Sequence, residues 1–418
     1  MNKFPLYNYK SINKLSQFLK FKDKKEFNKF LNKLKLDSMS FYKIYTLKNK
    51  KNRKVYECNS FIKRIHSRIR NCFKQIEAPE YLFSGVKKKS YINNANYHKN
   101  SKSFYIIDIS KFYPSITKEK IYKNLISSFN QSHNVADAIS DIITIEHEEK
   151  RFLVTGSPLS QIVAYFINKP MFDKINKISK QYNILFTVYV DDLTFSSKEN
   201  IPSKFKYEIQ NIIEYYNYSY STEKIQSKLL HKKTEYYPAI TGVAIHNGSK
   251  LDLPEERKER LLDFIQDFKK LTNLEVDDFF KNLDKLNGLI TEAIQINKDK
   301  YFEEKINMDK FVKDFLISNA KKTKEYILNN FSILSETVNL DNINEFSKKY
   351  LNAITKTTRL LNIISIEPFR EEIHHLINTK YKIFIYNNKS NLDLLSSNPI
   401  PNPLINKILS DYKKNKIY

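Results

Sequence analysis

The chain has 418 residues, 41% hydrophobic and 28% charged, which suits two or three folded domains and excludes a disordered tail. No apolar core follows Met1-Asn-Lys-Phe-Pro5 and no run of about eighteen uncharged apolar residues occurs, so neither a signal peptide nor a membrane span is expected, and the expected location is the cytoplasm. A formal charge of +25 points to a polyanion, nucleic acid or an anionic membrane surface, although a Lys-, Asn- and Ile-rich composition typical of genomes poor in G and C supplies part of the excess.

Leu15, Phe18, Leu19, Phe27, Phe30 and Leu31 recur at helical spacing and predict helices up to about residue 40. Two short strands, 41–47 and 53–56, flank the basic turn Lys48-Asn-Lys-Lys-Asn52. A helix over 60–73 then carries Lys63, Arg64, Arg68 and Arg70, a face for phosphate or simply for solvent. Cys58 and Cys72 lack the spacing of metal ligands and read as reduced thiols. Next come a strand at 104–109, helices within 117–146, a turn at 155–158, a helix at 159–179, a hairpin at 184–197, a helix at 203–216 and a hairpin at 238–253 around Asn247-Gly248. This is an α+β pattern with a small antiparallel sheet. Beyond Pro254 the chain reads as helical to about residue 380, with one strand-like segment, Tyr381-Lys-Ile-Phe-Ile-Tyr386, then a loop at 396–403 and a short basic helix. With only five glycines, each marks a backbone that needs one: Gly85 ending Tyr81-Leu-Phe-Ser84, Gly156 in the turn at 155–158, Gly242 after Ile240-Thr241, Gly248 in the Asn247-Gly hairpin turn and Gly288 interrupting a helix.

Asp191 and Asp192 lie inside the apolar run Ile184-Leu-Phe-Thr-Val-Tyr-Val-Asp-Asp-Leu-Thr-Phe195. Burying unpaired charge is costly, so a cation is expected at the turn of that hairpin. An Asp-Asp turn without chemistry is the plain alternative. A third carboxylate in a similar setting, Ser103-Phe-Tyr-Ile-Ile-Asp108, favours a shared metal cage and a nucleotidyl-transfer site.

The order of these segments resembles a reverse transcriptase palm over roughly residues 40 to 300. Asp108 matches the first palm aspartate, Thr155-Gly-Ser-Pro-Leu-Ser160 resembles the dNTP-binding turn and helix, and Tyr189-Val-Asp-Asp192 matches the family's Y-x-D-D. Within that family the chain is most similar to bacterial retron and retron-like, defence-associated enzymes: Asn94-Ala-Asn-Tyr-His98 fits their N-A-x-x-H, and Ile240-Thr-Gly242 fits their V-T-G with Ile for Val. The Leu286-Asn-Gly288 turn resembles their thumb and that of group II intron-like relatives. Two departures are Gln161, where many members have proline, and the long helical segment after the thumb, which resembles abortive-infection and "unknown group" polymerases.

The resemblance implies a right-hand polymerase with fingers, palm and thumb and a mostly helical C-terminal extension. Its expected parts are N-terminal helices and fingers over 1–100, palm with a fingers insertion and a primer-grip-like hairpin over 101–253, thumb over 254–300 and extension over 301–418. It implies attack of a primer 3′-hydroxyl on a dNTP, assisted by two Mg²⁺ ions held by Asp108 and Asp191, with Asp192 a weaker ligand or a structural acid. Tyr113 is implied to select deoxyribose, or else is a core aromatic. Gly156, Ser157 and Pro158 are implied to approach the nascent pair and triphosphate, and Arg53 and Lys54 to grip phosphates. Lys224, with Lys228 nearly as good by spacing, resembles the lysine that protonates pyrophosphate. His98 fits an RNA-contacting or fold-holding role better than a metal site. The implied partners are a structured noncoding RNA template and its cDNA product, with a homo-oligomer or an accessory effector protein left open and no membrane partner. Alternatives are template-independent or protein-primed DNA synthesis of the abortive-infection type, for which the 28 tyrosines offer hydroxyls, and a non-enzymatic RNA-binding scaffold.

Overall fold

The computed structural model describes residues 6–47, 53–73, 77–222, 225–229, 238–246, 250–270, 276–337, 342–364 and 367–392. They fall into two compact units, Met1–Pro254 and Glu255–Tyr418. The first unit begins with α1 (Ile12–Phe18) and α2 (Lys24–Leu36). Asp23 starts α2 by accepting from the Glu26 N–H, while Glu26 accepts from the Lys22 N–H, and the helix buries Phe27, Phe30 and Leu34 on one side. Strands β1 (Tyr42–Leu47) and β2 (Arg53–Cys58) pair antiparallel, and α3 (Ser60–Phe73) follows, burying Ile62, Ile65 and Ile69.

Helix α4 (Tyr91–His98), capped by Ser90, leads into β3 (Ser103–Asp108). Helices α5 (Lys118–Ser127) and α6 (His133–Ile143), the hairpin β4 (Thr144–His147) with β5 (Lys150–Leu153), and the long α7 (Ser160–Gln181) come next. Then β6 (Leu185–Tyr189), β7 (Asp192–Ser197), α8 (Ser203–Tyr215) and β8 (Gln226–Leu229) complete a four-stranded antiparallel sheet ordered β6-β7-β3-β8. Three short strands, β9 (Ala239–Ile240), β10 (Val243–His246) and β11 (Lys250–Asp252), form a separate sheet beside α4.

The sheet register sorts side chains by face, because directly opposite residues share a face and successive residues alternate. Phe186, Val188, Leu193, Phe195, Tyr105 and Ile107 fall on one face and are buried; Phe195 packs edge-on against Phe205 of α8 and Phe186 against Tyr81. Thr187, Thr194, Ser196, Asp108 and Asp192 fall on the other. There α4 sits, with His98 fully buried between Ser196 Oγ (2.7 Å from Nδ1) and Thr187 Oγ1 (2.8 Å from Nε2). The histidine therefore holds the fold.

Several expectations change. The helical stretch 117–146 breaks at 128–132 and ends at Ile143; Thr144 starts a hairpin whose turn residues, Glu148 and Glu149, both take positive φ. Helix α4 and strand β8 were not expected. Thr241-Gly242 makes its own tight turn between β9 and β10, with φ of 48° and 83°, and Thr241 Oγ1 donates to the Tyr91 carbonyl of α4. The Asn247-Gly248 turn, the Lys48–Asn52 turn and everything from 393 onward lie outside the described residues.

The second unit comprises α9 (Glu255–Lys270), α10 (Val276–Ile296), α11 (Lys298–Ser318), α12 (Ala320–Asn330), α13 (Ile343–Ile364) and α14 (Glu367–Asn387). Gly288 lies inside α10 with open space around its Cα, so 286–288 is helix and not a turn. Tyr381–Tyr386 is likewise helix, in α14: Tyr381 and Phe384 are one turn apart and stack on Tyr350 and Phe346 of α13, a helical spacing that overrides β propensity. Phe279 of α10 stacks on Phe315 of α11. None of the described helices is long and apolar enough to cross a membrane.

Asp141 of α6 is fully buried and meets Lys118 at 2.6 Å, Arg151 at 3.3 Å and Lys35 at 3.6 Å, from α5, β5 and α2. Asp141→Ala should take the buried anion from Arg151 and leave Lys35 and Lys118 with Asp137, which they meet at 3.1 and 2.7 Å, and destabilise the first unit by about 3 kcal/mol, the low end for a broken buried pair because those two lysines keep a partner. Denaturant unfolding measures it; Asp141→Ala within about 0.5 kcal/mol of wild type would show that these pairs contribute no more than exposed ones.

Candidate active site

The β6–β7 hairpin closes on the pair Tyr189↔Asp192, leaving Val190-Asp191 as a two-residue loop. Val190 has φ 61°, a conformation hairpins normally give to glycine at this place and which costs a β-branched residue steric strain. Asp108, the last residue of β3, stands directly opposite Asp192, and the Asp191 carbonyl accepts from the Ile109 N–H at 3.0 Å. Asp108, Asp191 and Asp192 thus lie at one end of the sheet, each partly buried. Among the described residues no group of three or more His, Cys, Asp and Glu is arranged so that it could hold a metal ion. An open, all-oxygen donor set is the kind that suits a hard cation whose other positions go to water and phosphate.

Tyr113 lies in the turn after β3, half-buried, its ring 5.9 Å from that of Phe112, which packs in turn on Tyr218 and Phe172. One edge is anchored in the core and the residue stays close in sequence to Asp108.

Gly156 has φ 80°, and a Cβ there would sit 2.7 Å from the Tyr56 carbonyl oxygen of β2, so only glycine lets this turn lie against the β1–β2 hairpin. Ser157, in the turn expected to approach the nascent pair and triphosphate, has its Oγ 2.7 Å from Nδ1 of His66. His66 Nε2 is 2.8 Å from the Ile142 carbonyl and must donate to it, so Nδ1 accepts from Ser157. Pro158 follows in the turn, half-buried. Lys54 Nζ bonds Glu148 Oε1 at 3.1 Å and His147 Nε2 at 2.8 Å, so a phosphate would have to draw it from that exposed pair. Arg53 opens β2, Lys228 pairs with Phe104 in β8, and Lys224 lies outside the described residues. His66 gave no sequence signal, being one histidine on a basic helix.

Burial pushes the His66 imidazolium pKa down to about 4 and that of His98 to about 3, so both are neutral in the fold. Below about pH 6.5 the unfolded chain takes up protons that the fold refuses, so stability falls as pH drops from there toward the folded values. At pH 5 the two together should cost on the order of a few kcal/mol relative to pH 7. Unfolding at the two pH values should show this drop in wild type and a flatter response in His66→Gln/His98→Gln. An equal drop in both would assign acid sensitivity elsewhere. Gly156→Ala should cost about 1–3 kcal/mol through positive φ and the Tyr56 clash, read by the same unfolding.

The model of the family described as "Reverse transcriptase (RNA-dependent DNA polymerase)" matches residues 25–245, over half of the chain. The chain is 23% identical over 308 residues to the retron Se72 reverse transcriptase of Salmonella heidelberg (strain 579083-10), covering 71% of this chain and 79% of that one. To the retron Ec83 reverse transcriptase of Escherichia coli it is 24% identical over 254 residues, 58% and 75% of the two chains, and to the retron Ec86 enzyme of the same species 25% over 162 residues, 38% and 49%. With its mixed sheet-and-helix first unit and helical second unit, the protein has a right-hand polymerase fold with a helical C-terminal part, and it belongs to the reverse transcriptase family as a retron-like, RNA-directed DNA polymerase.

Proposed function

We propose that this polymerase copies a cognate structured noncoding RNA into cDNA in bacterial antiphage defence, in the cytoplasm, with dNTPs as substrates and Mg²⁺ as its metal. The observation that carries the site reading is the Asp108↔Asp192 pairing with Asp191 held beside it, inside the residues that match the family. Fingers are assigned to 1–100, palm to 101–253, thumb to 254–300 and the extension to 301–418.

Asp108 and Asp191 are the principal metal ligands in this reading, with Asp192 supporting them. When bound, two Mg²⁺ ions supply activation of the primer 3′-oxygen and neutralisation of charge on the leaving pyrophosphate. The chain's own residues orient the substrates. Tyr113 lies beneath the sugar and rejects a 2′-hydroxyl, and the Gly156–Pro158 turn brings backbone close to the nascent pair. Lys54 exchanges Glu148 for a phosphate, a trade favoured because an exposed ion pair is worth little.

RNA and DNA copurifying with wild type and with Asp191→Ala/Asp192→Ala, expressed from the native locus, are sequenced in parallel. One discrete RNA in both, with complementary DNA only in wild type, is the expected result. Equal cDNA from the variant would overturn the site. Homopolymeric or protein-linked DNA without a template match would replace RNA copying by untemplated or protein-primed synthesis.

A further inference from the structure

We propose that Ser84 is a positioning residue for the polymerase reaction: its buried hydroxyl holds the Val190-Asp191 turn in the strained conformation that places the Asp191 carboxylate. The proposal rests on the reading of Asp191 as catalytic. Ser84 is 3% exposed, and its Oγ accepts from the Val190 N–H at 3.0 Å. That N–H belongs to the residue with φ 61°, whose strain must be offset by local contacts for the turn to persist.

Ser84 sits at the end of a brace. Leu82 forms a parallel bridge with Val188 of β6, the Val188 N–H donates to the Tyr81 carbonyl at 2.8 Å, and the Phe83 N–H donates to the Val188 carbonyl at 2.9 Å. Residues 81–83 therefore run beside β6 like one more short strand. Where that pairing stops, the Ser84 side chain takes the place a backbone carbonyl would hold and meets the next N–H that needs a partner, that of Val190.

The brace is fixed from its outer side as well. Lys89 Nζ reaches the carbonyls of Pro79, Glu80 and Leu82 at 3.4, 2.7 and 2.9 Å and lies 4.5 Å from the Phe83 ring centroid. Burial lowers the Lys89 pKa. A hydroxyl on a loop tied down in this way holds its position, and the bond it makes is one residue from Asp191. The Asp191 carbonyl in turn accepts from Ile109, next to Asp108, so a shift of the turn moves both carboxylates relative to each other.

The test uses the full chain with its copurified RNA and four forms: wild type, Ser84→Ala, Ser84→Thr and Ser84→Val. Thr and Val have nearly the same shape and differ in the hydroxyl. Two readouts are taken: kcat and dNTP KM of cDNA synthesis, and amide hydrogen exchange of the peptide spanning 184–197 in metal-free protein. The Ala and Val forms should lose about tenfold to a hundredfold in kcat with little change in KM, the signature of a misplaced catalytic group. Their hairpin should exchange faster than wild type, while the Thr form keeps both wild-type exchange and most of the rate.

Equal rates for Thr and Val would overturn the proposal, as would a rate loss with unchanged exchange or faster exchange at the wild-type rate. If the Ala form does not fold, the Thr and Val pair decides; a Val form that unfolds where Thr folds makes the hydroxyl a support of the whole unit and also overturns it. Asp191→Ala is run alongside. Wild-type cDNA from that variant defeats the underlying reading, whereas an inactive Asp191→Ala with fully active Ser84 variants defeats only the role of Ser84.

Discussion

The register of β3 against β7 is the constraint on which the site depends. Asp108 meets Asp192 because Ile107 meets Leu193 and Tyr105 meets Phe195, all in one ladder. A slip of one residue would turn Asp108 to the face that carries Phe195 and Leu193, where a carboxylate would lie in the apolar core, and would carry Tyr105 and Ile107 out of it. The same apolar side chains that stabilise the sheet therefore help to fix which carboxylates share the face opposite them. Adding β8 on the far side of β3 gives that central strand a partner on both edges.

Apolar burial alone does not set this register, since large side chains tolerate several pairings. The polar layer on the opposite face is more selective. His98 satisfies both ring nitrogens with Ser196 and Thr187, and Ser101 Oγ lies 2.8 Å from Ser196 Oγ. Any slip would strand a fully buried imidazole and its hydroxyl partners, each at the cost of an unmet buried hydrogen bond. That cost is the physical role the N-A-x-x-H segment has in this fold. His66 repeats the device at the Gly156-Ser157 turn, where a neutral histidine ties the turn to the Ile142 carbonyl at the end of α6.

The sequence made the Asp191-Asp192 hairpin legible because charge inside a β-branched run contradicts its surroundings, and such a contradiction asks for a functional cause. Gly156 was legible for a similar reason: in a chain with so few glycines, one in a turn reports a close backbone approach, here to Tyr56. What could not be read was held together by long-range partners. Ser84, His66 and Lys89 are ordinary polar residues in sequence, and their roles appear only when Val190, Ser157 and the 79–82 carbonyls arrive from elsewhere. Strand β8 has little apolar alternation because it is an edge strand, and within Tyr381–Tyr386 the β-type residues Tyr381 and Phe384 serve instead to stack between two helices.

The distribution of charge resolves the ambiguity of its total. A lysine-rich genome would raise cations throughout the chain. Instead Lys and Arg outnumber Asp and Glu about two to one up to Pro254 and are close to parity from Glu255 onward. The compositional explanation predicts the same excess in both units and so accounts for little of it. The second unit includes stacked aromatic pairs, as in Phe279 on Phe315 and Phe346 on Phe384, and charges that pair within one helix, as in Arg260 with Glu256. Electrostatic attraction to a phosphate backbone scales with the cations that displace its counterions, so it must arise chiefly from the unit that carries Asp108 and Asp191. A polyanion bound by this unit would lie on the same unit as three carboxylates at one end of its sheet. The two are compatible only where positive charge, from side chains or metal, stands between acid and phosphate.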